Sequence, residues 1–311
     1  MSAVTGTPAA TGKSPLRGVA LYGVALLLFA CLDTTTKYLT AHYPVPLVAW
    51  TRYAVQFLLM TAILAPRMGR ELVSPARPAP VALRSLCLAA TSLFVGLALH
   101  RLPVAEASAI VFISPLLVVL LAGPLLGERL TPLRAMLAVL GFTGVLLIAR
   151  PTGNLDALGV VFALLGALSN TGYQLMSRTL SAEKPLTLLF NSALVGTLIF
   201  GGLLPFFWGG EGLTLTYVLL FLSLGLTAGV GHFFLTLGFR YAPASLISPV
   251  TYLQLLWAGL LGWVVFHHVP DALTLVGMAV IAAAGVATVV TGGRRQPPGV
   301  SSPTPRTMGR R

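Results

Sequence analysis

Gly18–Leu39 reads GVALYGVALLLFACLDTTTKYL. As a helix rising about 1.5 Å per residue, it is long enough to cross a hydrocarbon core roughly 30 Å thick. Its charges, Asp33 and Lys37, sit only in its last turns. Gly159–Leu180 reads GVVFALLGALSNTGYQLMSRTL and repeats the pattern at an offset of 141, since 159 − 18 = 141. At that offset Asp33 meets Gln174, Thr36 meets Ser177 and Lys37 meets Arg178. Phe94 and Arg101 then match Phe233 and Arg240 at offset 139, and Ala107-Ser108 matches Ala244-Ser245 at offset 137. Apolar segments resemble one another by composition alone; the order of these matches along the chain is what marks a duplication.

The rest of the sequence extends this first reading. Of 311 residues, 56% are hydrophobic and only 9% charged, against about 25% charged in soluble domains. So few charges cannot cover a wetted surface, so most of the chain faces lipid. Soluble, disordered and nucleic-acid-binding classes are excluded despite the net charge of +12, which is 20 Lys+Arg minus 8 Asp+Glu. Two cysteines, Cys31 and Cys87, lie inside apolar runs and give no disulfide framework. Ten apolar runs are candidate spans: Gly18–Leu39, Pro46–Leu64, Val81–Leu99, Val104–Leu126, Leu133–Ile148, Leu158–Leu175, Leu186–Phe207, Leu215–Leu237, Pro243–Phe266 and Ala272–Val290. No cleavable leader is expected, because the first run is long enough to be retained as a helix. Polar Pro/Ser/Gly-rich tails at 1–16 and 292–311 are expected to be disordered.

Basic residues orient the bundle. With the N-terminus in the cytoplasm, 16 Lys and Arg fall inside, Arg84 among them, while Lys37, Arg101 and Arg150 fall outside and Arg52 lies within the second span. Both termini are therefore expected in the cytoplasm of an inner-membrane protein. Five crossings per copy is an odd number, so the second copy is inverted relative to the first. The fold expected is an all-α integral membrane protein of ten transmembrane helices, arranged as inverted five-helix repeats at 17–150 and 156–291. Two such halves can rock about a central site, the architecture of many secondary transporters.

The chain resembles the EamA-domain family of the drug/metabolite transporter superfamily, in its ten-helix form. The resemblance rests on Leu126-Gly127-Glu128-Arg129-Leu130-Thr131-Pro132 followed by Gly141-Phe142-Thr143-Gly144-Val145, on Ala107-Ser108 through Ser114-Pro115-Leu116, and on Ala244-Ser245, Ser248-Pro249, Tyr252-Leu253 and Pro270-Asp271. His267-His268 stands where the second repeat of the family usually has a Gly-Glu pair. The resemblance implies a small-metabolite carrier whose cavity is built from spans one to four and six to nine, with spans five and ten outside.

Ionisable groups at membrane depth are costly and mark candidate sites. Asp33 and Arg52 lie at nearly equal depth on either side of the first hairpin, so they are expected to pair, with Lys37 one helical turn nearer the surface. That set is either a charged pocket for a zwitterionic or anionic substrate, a proton-sensitive gate, or a structural ion pair. Asp33 and Glu106 are candidates for coupling to protons. Glu106 also suits the positive end of the fourth helix, and Glu128 suits a loop role. Gln174 at the repeat position of Asp33, the deep histidine His232, and the aromatics Tyr252 and Trp257 are candidate substrate-binding residues. Pro115 and Pro249 can kink their spans.

Gly6…Gly12-Lys13-Ser14 misses a nucleotide-binding loop by one residue and follows no strand. No histidine pair has metal-ligand spacing on one helix, so no metal, cofactor or enzymatic activity is expected. The function expected is a secondary transporter working by alternating access, as monomer or homodimer, on a small polar or amphipathic metabolite. Amino-acid or metabolite export is the leading reading, and uptake of an S-adenosylmethionine- or riboflavin-like nutrient is the alternative. A non-transporting receptor or assembly factor and a membrane-embedded enzyme are the readings from other classes.

Overall fold

A computed structural model describes residues 15–126, 132–148, 155–180, 182–241 and 248–293. The Glu128 turn, the Ala244-Ser245 pair and the tails up to residue 14 and from residue 294 lie outside the described residues; Pro15, Leu16, Gly292 and Gly293, expected in the tails, belong to the first and last helices. No strand occurs among the described residues. The helices are α1 (Pro15–Thr40), α2 (Val45–Met68), α3 (Pro78–Arg101), α4 (Val104–Val111), α5 (Ser114–Leu126), α6 (Pro132–Ile148), α7 (Ala157–Thr179), α8 (Pro185–Phe207), α9 (Leu215–Tyr241), α10 (Leu253–Phe266) and α11 (Ala272–Gly293). Six of them, α1–α3 and α7–α9, are long and apolar enough to cross a membrane alone; the other apolar helices are shorter.

Two expected spans are broken. The run Val104–Leu126 is not one helix: it stops at Val111 and restarts at Ser114. Pro115 has no N–H to give and disfavours helix for the residue before it. The Ser114 hydroxyl bonds the Val111 carbonyl at 2.6 Å and reaches the Ala167 carbonyl of α7 at 3.0 Å, so one side chain answers a carbonyl at the break and ties the break to the neighbouring helix. In the second copy Ser248-Pro249 opens a 3₁₀ turn, Ser248–Tyr252, that leads into α10.

The packing is pseudo-twofold. Helix α1 lies along α9 as α3 lies along α7; α2 pairs with α8, and α6 with α11. The main contacts between the copies come in equivalent pairs, as an inverted duplication requires. Helices α6 and α11 make their main contacts with each other and with the broken spans, leaving α1–α3 and α7–α9 around the centre. The α6–α11 seam is tight: a Cβ on Gly144 would come 2.8 Å from the Gly277 carbonyl. Chain direction puts Pro15 and Gly293 at one end, here the chain-end face. The α1–α2, α3–α4 and α8–α9 connections lie at the opposite face.

At the opposite face Arg101 pairs with Asp156 at 2.6 Å, and the other Asp156 oxygen accepts the Leu158 N–H at the start of α7. The Arg101 hydrogen bond, reinforced by that N–H, holds the Asp156 carboxyl below the usual aspartate range. A lowered folded pKa stabilises the fold above the unfolded value near 3.9, and the contribution fades as pH falls through the lowered one. Asp156→Asn should therefore lower Tm at pH 7, with a smaller deficit at pH 3. An equal Tm deficit at both pH values would contradict this.

Tyr252 presses against α11 where Gly285 leaves room: a Cβ there would fall 1.5 Å from the Tyr252 hydroxyl oxygen. Gly285→Ala should cost about 1–3 kcal/mol by overpacking, and Tyr252→Leu in the same chain should recover part of it. Thermal unfolding in detergent measures both.

Candidate functional site

Helix α3 carries a polar stripe at helical spacing: Arg84, Ser85, Ser92 and Gly96, with the Leu88 carbonyl between them. Ser85 and Ser92 each turn their hydroxyl back onto the carbonyl four residues earlier. The helix face they share looks into the middle of the bundle, toward α2, α7 and α8.

Arg84 is 4% exposed. Its Nε donates to Ser177 Oγ at 2.7 Å and Nη2 to the Tyr173 hydroxyl at 2.8 Å. Nη1 donates to Ser192 Oγ at 3.0 Å and to the Leu188 carbonyl at 3.3 Å. The guanidinium also lies 4.4 Å from the centre of the Tyr173 ring. Every one of these partners is neutral, and no carboxylate pairs with Arg84 among the described residues. The sequence reading assigned Arg84 to the basic surface. The signal against that was its place inside the third apolar run.

Two turns further along α3, Arg52 of α2 donates from Nη1 to Ser92 Oγ at 3.0 Å. Ser92 in turn bonds the Tyr53 hydroxyl at 2.7 Å, and Tyr53 is stacked on Phe200. Arg52 Nε is buried with no hydrogen-bond partner among the described residues. Arg52 borders a small cavity with Thr36, Val45, Val48, Ala49, Ser92 and Gly96.

Asp33 does not close the expected ion pair with Arg52. Its Oδ2 accepts from Gln254 Nε2 of α10 at 3.3 Å; Arg52 acts on it only through space. Equal depth fixed the height of the two groups but not their direction. Helix α1 follows α9 and α2 follows α8, so the hairpin arms splay and barely touch. Lys37 also departs from the expected set. Its ammonium donates to the Leu99 and Leu102 carbonyls at 2.9 and 2.7 Å, closing the C-terminal end of α3, where a cation meets the negative end of the helix dipole.

The remaining candidates divide between the centre and elsewhere. His232 of α9 meets Phe29 edge-on at 5.0 Å and lies within electrostatic reach of both Arg52 and Arg84. Trp257 packs on the Tyr22 and Leu26 cluster of α1, and its Nε1 is buried without a partner among the described residues. It lies one helical turn from Gln254, hence on the Asp33 side of α10. Gln174 is half-buried and makes no hydrogen bond among the described residues. Tyr252 is turned away, against α11 and 5.8 Å from Phe112, with an unpartnered hydroxyl. Glu106, 2% exposed, bonds His268 Nε2 at 2.8 Å through Oε1, while Oε2 is buried and unpartnered. No group of three His, Cys, Asp or Glu side chains suited to a metal occurs among the described residues.

The arrangement is a polar track between the repeats, with cations Arg84 and Arg52 near its middle and Asp33 across from them. Among the described residues Arg52 Nε and Trp257 Nε1 lack the acceptors that buried donors ordinarily have; carboxylate or carbonyl oxygens are the groups that match them.

Known proteins resemble the chain along most of its length. A riboflavin transporter of Rhizobium johnstonii is 30% identical, covering 85% of this chain and 87% of its own. A pseudopaline exporter of Pseudomonas aeruginosa is 27% identical over 87% and 95%. An S-adenosylmethionine uptake transporter of Rickettsia prowazekii is 26% identical over 86% and 91%. A solved crystal structure, 22% identical, has the same fold with a TM-score of 0.64 over 90% of this chain and 99% of that one. The model of the EamA-like transporter family matches twice, at residues 16–150 and 157–291. The chain belongs to the EamA-like transporter family.

Proposed function

We propose that this transporter exports a small amino-carboxylate metabolite, an amino acid or a larger molecule carrying the same two groups. The observation that carries the reading is a pair of arginines between the repeats: Arg84, buried with no carboxylate partner among the described residues, and Arg52, half-buried, whose buried Nε has no hydrogen-bond partner among them. A carboxylate bound beside Arg52 answers that N–H and offsets a charge that membrane depth makes costly. Asp33, with one oxygen on Gln254, is placed to take an ammonium, and Trp257 offers a ring face and one N–H. Relatives named as a riboflavin transporter, a pseudopaline exporter and S-adenosylmethionine uptake transporters support a metabolite-sized solute. They leave direction to the assay.

The bundle rocks about its pseudo-twofold axis, so that the site opens to one face and then the other. Both chain ends lie in the cytoplasm of an inner-membrane protein, a reading supported by the crowding of Lys and Arg at the chain-end face. Asp33 and Glu106 are the carboxylates placed to carry a coupling proton. The carrier acts without a cofactor and catalyses no covalent step.

Flux in proteoliposomes, after a thermal-shift screen of amino acids and amino-carboxylates, tests the site. Arg52→Gln should lower transport kcat/KM by about tenfold to a hundredfold, the worth of a hydrogen bond to a charged group. Trp257→Phe should lower it by about two- to tenfold. Arg84→Gln should lower Tm as well as flux, because it unties α3, α7 and α8, whereas Tyr252→Phe should leave flux intact. Unchanged transport in Arg52→Gln at parental Tm would refute the site. Proton coupling through either carboxylate requires that Asp33→Asn or Glu106→Gln abolish solute-driven proton flux; persistence in both removes it. Faster efflux than uptake in oriented vesicles supports export, and the reverse ratio assigns uptake.

A further inference from the structure

Two contacts between the repeats occupy equivalent places at opposite ends of the bundle. At the opposite face, His42 Nδ1, in the α1–α2 connection, meets Glu211 Oε1 at 2.9 Å. Glu211, in the α8–α9 connection, also accepts from the Tyr217 hydroxyl at 2.9 Å, and Tyr43 donates to the Gly212 carbonyl at 3.4 Å. At the chain-end face, Lys184, in the α7–α8 connection, meets Glu71 of the α2–α3 connection at 2.5 Å. There Thr187 donates to the Glu71 carbonyl, and Glu183 accepts the N–H groups of Ala76 and Arg77.

The inverted repeat relates these contacts. The offset between copies is 141 in the first helix and 139 in the third, and Glu211 follows Glu71 by 211 − 71 = 140. The carboxylates are thus the same position of the repeat. Lys184 corresponds to Tyr43 at 184 − 43 = 141, so the two cations stand one residue apart in the repeat register. Each contact ties the short hairpin of one copy to the second loop of the other, across the seam along which the halves must separate. Both are closed together in this structure.

We infer that Glu71 and Glu211 are the gating residues of the two faces, each latching its own face shut, and that only the Glu211 latch responds to pH. The inference rests on the alternating-access reading above. A lysine stays charged across pH 6 to 8.5, whereas a histidine passes from charged to neutral within that range. Protonated His42 holds the Glu211 carboxylate by charge; neutral His42 keeps only the hydrogen bond. Hydrogen bonds from His42 and then Tyr217 hold the Glu211 carboxyl below the usual carboxylate range, so the carboxylate is charged throughout. The other titratable groups around His42 are Tyr38, Tyr43 and Tyr217, all neutral in this range by type, and His100 of α3, which is engaged with the Thr40 carbonyl at 2.6 Å. Raising pH at the opposite face therefore loosens that face alone. Exposed pairs contribute little to static stability, but a contact made in one state and broken in another shifts the populations by its full worth.

A cysteine at Thr36, which lines the small cavity beside Arg52, reports which face is open. With Cys31→Ser and Cys87→Ser, labelling of Thr36→Cys by a membrane-impermeant maleimide is timed from each face in oriented vesicles, beside flux. Glu211→Gln should raise labelling from the opposite face by about two- to fivefold and lower it from the chain-end face; Glu71→Gln should do the reverse. Raising pH from 6 to 8.5 at the opposite face should mimic Glu211→Gln in the His42 protein relative to His42→Lys, which cancels the reagent's own pH dependence. Shifts of the same sign in the two glutamate variants, no shift, or an equal pH response in His42→Lys would overturn the inference. If flux persists while accessibility is unmoved, the latches fail and the carrier reading stands.

Discussion

A guanidinium buried at membrane depth with only neutral partners is the constraint on which the centre of this protein depends. Insertion of such a charge costs about 2.5–3.5 kcal/mol at a helix centre, and the protein spreads that cost over donors aimed at two hydroxyls, a phenol and a carbonyl. Those acceptors come from α7 and α8, so Arg84 joins the two copies where they meet. Hydrogen bonds satisfy the donors of the ion but leave its charge. The same economy recurs at Arg52, where one N–H is left without an acceptor. On the reading proposed above, a site so arranged gains most from an anion.

The rest of the bundle keeps that centre between two halves that can move. Broken spans free backbone polar groups inside the bundle, and the Ser114 hydroxyl and carbonyl tie the first break to Ala167 and Thr171 of α7. Helices α6 and α11 close on each other at glycines and stand aside from the moving seam. Lys37, Glu106 and His268 gather at the opposite end, where α3 stops and the second copy folds over. The consequence is a layered path: a loop contact, a charged cluster, the arginine centre and a second loop contact.

The architecture was legible because lipid simplifies the code. Helix lengths, basic asymmetry and the ordered matches at offsets 141, 139 and 137 gave ten spans and an inversion, and the folded helices pair as an inverted duplication demands. The break at Phe112 was visible only as Pro115, since hydropathy does not register backbone geometry. At the site, depth could be read but azimuth could not. Asp33 and Arg52 share a level, yet which neighbour each faces depends on how α1 and α2 splay onto the second copy, and that is tertiary information. Arg84 was passed over because charge near a span's end usually marks an interface. Its helical spacing with Leu88 and Ser92 was the sign that it turns inward. Tyr252 illustrates the reverse error: an aromatic deep in a span whose ring fills the hollow left by Gly285.

The most direct examination of the central claim is a structure in lipid nanodiscs with the solute that gives the largest thermal shift. The account predicts density between α2, α3 and α10, with carboxylate oxygens within hydrogen-bond reach of Arg52 Nε. Density seated instead against Leu256, Leu275 and Met278, which line an apolar groove between α10 and α11, and none beside Arg52 would contradict it.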